Sequence, residues 1–348
     1  LAISYLLKEK QKRGIYWENR SHIMDYVVIG CLSIDNIINS KGEKRLNVFG
    51  GNAAFGAAGM ALWEPGSIGV VSRKGTDIPK EWMSLLEDNK IDIEGIRDVD
   101  MRHMMFAGMI YDESGDRREV INEDEPAGEL ITGFPVMSPE MVTMAHENFA
   151  PLASDIPESY GNAAVFLAAR HYDRQMAYTE FFRSRNPEGI IILDTGAQYM
   201  KPEWTDKLPA LFSRVDVVIP SEVEVKGLFG DISMPEAAKR LKSLGAKNVV
   251  IKIGKRGCLV YQNDEFIFTN AYHSTTVTDP TGAGDSFCGG FTVGYNKTRD
   301  LLTAAKYGTV SASFTIQDFG IKPAFHVTRE MADQRFKEVA CYKMEGDV

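Results

Sequence analysis

A chain of 348 residues can bury a large core, and its length fits one big α/β domain or two smaller ones. The net charge of -9 comes from interspersed acids and bases, which argues against tracking along nucleic acid but leaves room for a local basic pocket for a small anion. Four widely separated cysteines, six scattered histidines and no apolar run of bilayer-spanning length point away from a zinc site, a disulfide framework and a membrane span, and toward a soluble, cytoplasmic protein.

Residues 1–22 are basic with aromatic patches and read as an N-terminal extension, either a docking helix, a leader or a cloning remnant, without the pattern of a secretory signal. The first convincing element is the apolar run Tyr26-Val27-Val28-Ile29-Gly30, which ends in glycine as a buried parallel strand does. Similar runs recur at 163–168, 189–193, 215–219 and 248–253. Between them, residues 80–89, 173–185 and 234–244 carry apolar residues at helical spacing. This alternation predicts a doubly wound, mostly parallel α/β sheet with helices on both faces, whose ligands bind at the carboxyl ends of the strands.

Two stretches, 33–48 and 102–120, break that rhythm with β-branched or aromatic residues alternating with polar ones. The second contains the turn-rich tip Tyr111-Asp112-Glu113-Ser114-Gly115-Asp116. They can pair into a small sheet over a cleft, or stand as surface hairpins that serve only solubility. Residues 123–162, rich in Pro, Gly and acids, read as loops with one short helix near 139–148.

Chemistry-bearing residues appear at five places. Asp35 is a carboxylate suited to accepting hydroxyl protons, although alone it reads as a solvated turn residue. Phe49-Gly50-Gly51-Asn52 precedes a small-residue helix, a pattern that lets backbone approach a polyol closely and equally serves as a packing device. Pro220-Ser221-Glu222-Val223-Glu224 reads as a strand end followed by an acidic helix start. Lys252-Ile253-Gly254-Lys255-Arg256-Gly257 is a glycine loop whose lysine either meets a phosphate or is an exposed strand-end residue. The nonamer 279–287, DPTGAGDSF, carries the most information. Gly282 and Gly284 let the main chain bring N–H groups up to an anion at a helix N-terminus, with Asp285 beside it. An ordinary helix start with an Asp in its first turn is the alternative. Neither a P-loop nor a G-x-G-x-x-G fingerprint is present.

Taken together, these residues resemble the PfkB family of carbohydrate kinases, also called the ribokinase family, over about residues 24–329. Gly50-Gly51-Asn52 matches its N-terminal signature and 279–287 its C-terminal one, in the right order and separation. The resemblance implies a ribokinase-like domain over 23–340, with lid segments at about 33–48 and 102–120. It also implies transfer of the ATP γ-phosphate to a hydroxyl of a small sugar or sugar acid, with Mg2+ and in many members K+. Asp285 would be the catalytic base, and Gly282, Ala283 and Gly284 the anion hole. Asp279 and Thr281 would help bind the monovalent cation, and Asp35, Gly51 and Asn52 the substrate. Glu224 would organise Mg2+ through water, while Lys252, Gly254 and Gly257 would lie near the nucleotide.

Two positions depart from the family pattern. Ser221 stands where an Asn is usual, which predicts altered metal handling with water filling the gap. Lys252 stands where Thr or Ser is usual. For the acceptor, Arg170 at a strand end is placed to pair with a carboxylate or phosphate, a helix cap or a contact with the 123–162 stretch being the alternative. Arg117 and Arg118 hint the same way, whereas Met104, Met105 and Phe106 would suit the base of a nucleoside. The alternatives are a nucleoside kinase and a kinase-fold protein that binds without turnover. The apolar side of 104–109 permits a homodimer through the lid.

Overall fold

In the computed structural model, residues 24–112 and 138–343 are described, together with the backbone of 117–119. The extension 1–22, the tip at 113–116, the side chains of Arg117 and Arg118, and residues 123–137 lie outside the described residues.

Short runs of Val, Ile, Leu and Phe form the middle of the main sheet, because strands covered by helices on both faces can be apolar throughout. The strands in chain order are β1 (Tyr26–Ile29), β2 (Ser33–Ile38), β3 (Lys44–Gly50), β4 (Ile68–Gly75), β5 (Ile91–Asp92), β6 (Ile96–Val99), β7 (Phe106–Tyr111) and β8 (Arg117–Glu119). They continue with β9 (Ala164–Leu167), β10 (Ile191–Leu193), β11 (Val217–Val218), β12 (Val249–Lys252), β13 (Gly257–Gln262), β14 (Glu265–Asn270) and β15 (Cys341–Lys343). The sheet runs β15-β14-β13-β12-β11-β10-β9-β1-β4-β5, with β6 also paired to β4. From β12 through β1 to β5 the pairing is parallel, and β13, β14 and β15 extend one edge in antiparallel fashion.

The chain leaves β1 toward β4 on one side and returns to β9 on the other. That reversal opens a crevice at the carboxyl ends of β1 and β9, where such sheets bind ligands.

The long helices are α1 (Asn52–Ala61), α2 (Lys80–Asp88), α3 (Pro139–Phe149), α4 (Tyr172–Arg185), α5 (Glu222–Phe229), α6 (Met234–Ser243), α7 (Ala283–Thr298), α8 (Leu301–Thr315) and α9 (Arg329–Glu338). Most of α1 and α7 is buried all round, as expected of helices inside a large core. They cross at glycine. A Cβ on Gly59 would fall 2.3 Å from the Ser286 carbonyl oxygen, and one on Gly289 would fall 2.1 Å from that of Gly56. Of the two uses expected of the small residues after Gly51, approach to a polyol and packing, these contacts show the second, bringing one helix backbone against another.

The segments at 33–48 and 102–120 supply a separate four-stranded sheet in the order β3-β2-β7-β8. Here β2 pairs β3 antiparallel and β7 parallel, and a bulge lies between Asp35 and Ile37. Ile37, Met109 and Tyr111 form its own small core, with Val48, Ala107 and Phe319 packed against it.

Candidate active site

At the start of α7, Gly282 takes a left-handed conformation (φ 73°) as the N-cap, and Asp285 falls in the first helical turn. A Cβ on Gly282 would land 2.1 Å from the Phe55 ring of α1, so glycine is required both by backbone angle and by space. The two sequence signatures therefore shape each other, since Phe55 lies three residues after Asn52. Just upstream, Asp279 is buried. Its Oδ1 accepts from the Thr281 N–H at 2.9 Å, and Oδ2 has no hydrogen-bond partner. Burial pushes this carboxyl above its ordinary range. An orphaned buried carboxylate oxygen fits a bound cation.

At the crevice, Asn52 joins the two strand ends. Its Oδ1 accepts from Cys31 N at 2.7 Å, beyond β1, and its Nδ2 donates to the Ala169 carbonyl at 3.0 Å, beyond β9. Gly51 caps α1. Asp35 is 1% exposed, accepts from Ser33 Oγ at 2.5 Å, and occupies the space over Gly50, where a Cβ would lie 1.8 Å from its Oδ2. The carboxylate is thus seated on the paired glycines, not on a solvated turn.

A third group gathers at the ends of β10, β11 and β12. Lys252 Nζ lies 2.6 Å from Asp194 Oδ2, with the side chains 15% and 6% exposed. The alternative of an exposed strand-end lysine is thereby corrected. Burial by itself works against the ammonium, but Asp194, Cys288 and Glu224 more than offset it and keep Lys252 protonated. Ser221 is the N-cap of α5 in a capping box with Glu224. Glu224 Oε2 accepts from Ser221 N (2.6 Å), Ser221 Oγ (2.8 Å) and Thr195 Oγ1 (3.1 Å). The serine thus closes the helix start itself. Asp194 Oδ1 is buried without a partner. Two carboxylates with adjacent hydroxyls, Asp194 sharing one oxygen with the Lys252 ammonium and keeping the other open, fit a hard divalent cation that retains most of its waters.

Burial, followed by the like charge of Asp194, pushes Glu224 up to about 7 from an ordinary 4.5. A carboxyl raised on folding favours the folded state fully below its unfolded pKa, and this contribution is lost as pH rises toward the folded value. Glu224→Gln is therefore expected to stabilise the nucleotide-free protein at pH 8, by up to about 3 kcal/mol, and to change little at pH 4. Urea melts at the two pH values check this. An equal effect at both would refute it.

Gly254 and Gly257 bracket a 3-10 turn directly after β12, both with positive φ (54° and 116°). Arg170 is 5% exposed and its guanidinium contacts Cys31 Sγ, while its Nε has no partner. Cys31 Sγ in turn donates to the Phe149 carbonyl at the end of α3, and the rings of His146 and His171 meet edge to face nearby, 5.5 Å apart. His171, not Arg170, occupies the N-cap position of α4.

Sequence reasoning missed Asp194, Thr195 and Tyr111. The first two follow the apolar run of β10, and a strand-end rule applied there would have found them. Tyr111 was seen only as part of a turn, yet its hydroxyl lies 2.9 Å from Thr281 Oγ1, joining the small sheet to the loop before α7. Tyr111→Phe is expected to cost about 1 kcal/mol, the usual net worth of one such bond. A thermal-denaturation midpoint equal to that of wild type would count against the link.

Solved structures of the same fold include the nucleoside kinase of Burkholderia thailandensis in complex with inosine (TM-score 0.67, 18% identity, 90% of this chain and 97% of that one). Another is a putative ribokinase II from E. coli in complex with ATP and Mg2+ (TM-score 0.66, 18% identity, 90% and 99%). At that identity they establish the ribokinase-like fold. Among curated relatives, the cytidine kinase of Thermococcus kodakarensis is 31% identical over 303 residues, 86% of this chain and 98% of its own length. The pfkB family carbohydrate kinase profile matches residues 24–326, and the chain belongs to that family. It is a phosphotransferase for a sugar or nucleoside substrate. Among the described residues, no helix is long and apolar enough to cross a membrane.

Proposed function

We propose that the protein transfers the γ-phosphate of ATP to a hydroxyl of a small sugar or sugar acid, with Asp285 as the base. The observation that carries this reading is the placement of Asp285 in the first turn of α7, directly beyond the left-handed Gly282. Asp285 takes the hydroxyl proton, the oxygen attacks the γ-phosphorus, and the bond to the bridging oxygen of ADP breaks. The N–H groups of Gly282 and Gly284 face the charge that develops on the transferred group, whereas that of Ala283, expected to join them, donates to the Pro280 carbonyl at 3.2 Å. Asp35, Gly51 and Asn52 hold the acceptor, and the small sheet covers it as a lid. Ser221, Glu224, Lys252, Gly254 and Gly257 line the nucleotide. Glu224 and Asp194 would hold Mg2+ through water, which when bound neutralises phosphate charge. Asp279 and Thr281 would hold K+.

The anionic acceptor is favoured by Arg170, a buried guanidinium whose one described side-chain contact is a thiol. A nucleoside acceptor is the second reading, supported by the similarity to the cytidine kinase over nearly its whole length. ADP release across a panel of sugars, sugar acids and nucleosides separates the two. Thermal stabilisation by a panel member with no ADP release, at varied Mg2+ and K+, would replace both with a non-catalytic binder. A homodimer through the lid would place Leu46 of β3, 47% exposed, at the contact. Met109, by contrast, is consumed inside the small sheet.

A further inference from the structure

Lys252 brings an ammonium group into the interior at the end of β12, where it pairs with Asp194 Oδ2 at 2.6 Å. Such a pair is a poor device for stabilising a fold, because desolvation offsets much of the attraction and apolar residues of similar volume would do as well. Nor is the pair closed on itself. Asp194 is 4% exposed, and its Oδ1 has no partner. On the other side, the bare face of Gly284 in the first turn of α7 opens on to Lys252. A Cβ there would have the Lys252 side chain as its nearest neighbour, with Nζ at 3.6 Å. Lys252 Nζ also lies 3.9 Å from Cys288 Sγ, one turn further along α7. The ammonium thus adjoins a helix N-terminus, which already gathers partial positive charge. With Asp194 occupying one side of the ammonium, its remaining side and the helix N-terminus can still share a multiply charged anion.

We propose that Lys252 is a built-in cation of the nucleotide site, held in place by Asp194, which neutralises phosphate charge that would otherwise fall to the divalent metal alone. The proposal rests on the nucleotide reading above and deepens it. Lys252 acts by charge and hydrogen bonding and forms no covalent bond. Asp194 is a positioning residue, since a flexible four-carbon stem needs an anchor to keep its ammonium at one point. The consequence is that nucleotide affinity depends less on metal than the helix N-terminus alone would allow.

The test is calorimetric titration of the full chain with a non-hydrolysable ATP analogue, in excess EDTA and in saturating Mg2+. Wild type is expected to bind in both. Lys252→Met should lose metal-free affinity by roughly tenfold to hundredfold, the range for a hydrogen bond to a charged group, and should lose less in Mg2+. Lys252→Met leaves Asp194 buried and unpaired, so the double variant Lys252→Met/Asp194→Asn, checked for folding by its thermal transition, should show the same metal-free loss. Lys252→Arg should retain most of the binding. A folded double variant that binds the metal-free analogue as tightly as wild type overturns the role of Lys252. A wild type that binds under neither condition overturns the nucleotide reading itself.

Discussion

Asp285→Asn is expected to lower turnover by roughly 10²- to 10⁴-fold, the usual contribution of a positioned general base, while leaving the fold and ATP binding intact. The substitution keeps the size of the side chain at a half-buried position in the first turn of α7. Gly282 and the contact with Phe55 that shapes the loop are untouched, so the N–H groups of the helix start keep their orientation. Asparagine cannot accept the hydroxyl proton, and phosphoryl transfer needs little else from the protein than positioning and electrostatic stabilisation. Steady-state ADP release together with analogue titration measures the two effects separately. Near-normal turnover would remove Asp285 from the base role and with it the proposed mechanism.

Gly289→Ala should have the second largest effect, though Gly289 touches no reacting atom. Its Cβ would fall 2.1 Å from the Gly56 carbonyl oxygen, a backbone atom that cannot swing aside as a side-chain tip can. The crossing of α1 and α7 must then open. Overpacking of this kind costs about 1–3 kcal/mol. Because α1 begins with Asn52 and the first turn of α7 carries Asp285, the same separation moves the acceptor side of the crevice away from the base. A displacement of that order is expected to reduce kcat/KM by roughly tenfold to hundredfold. Denaturant melts and steady-state kinetics check both halves. An unchanged melting midpoint with unchanged kcat/KM would show that the glycine contact is not what sets the spacing.

Much of the architecture was legible along the chain. The helices expected at 80–89, 173–185 and 234–244 correspond to α2, α4 and α6, and each of the five apolar runs contains a strand of the main sheet. The strand β4, between β1 and the short edge strand β5, was not recognised. Only its first half, Ile68 to Val71, is an apolar run. Its second half carries Arg73 and Lys74, whose charges are met by Asp155, at 2.6 Å from Arg73, and by Asp98. Neither carboxylate is a local neighbour of the strand, so no window on the sequence shows the compensation. Of the antiparallel edge, β15 was missed for a similar reason, since it completes β14 from some seventy residues further on, while β13 and β14 form a local hairpin across Asn263-Asp264.

By itself the sequence determined the chemistry on offer: two signatures in a fixed order, a carboxylate after a glycine-rich turn, and apolar runs that must be buried as a parallel sheet. Those features are local, since a left-handed glycine, a helix start and a buried strand each follow from a few neighbouring residues. Only the tertiary structure decided which groups share an environment. Lys252, exposed or phosphate-facing on paper, is half-buried against Asp194, and Glu224 is pushed upward first by burial and then by that same carboxylate. Charge, burial and steric contact act through space, and residues 58 positions apart in the chain, as Asp194 and Lys252 are, meet only once the sheet has brought the ends of β10 and β12 to the same edge.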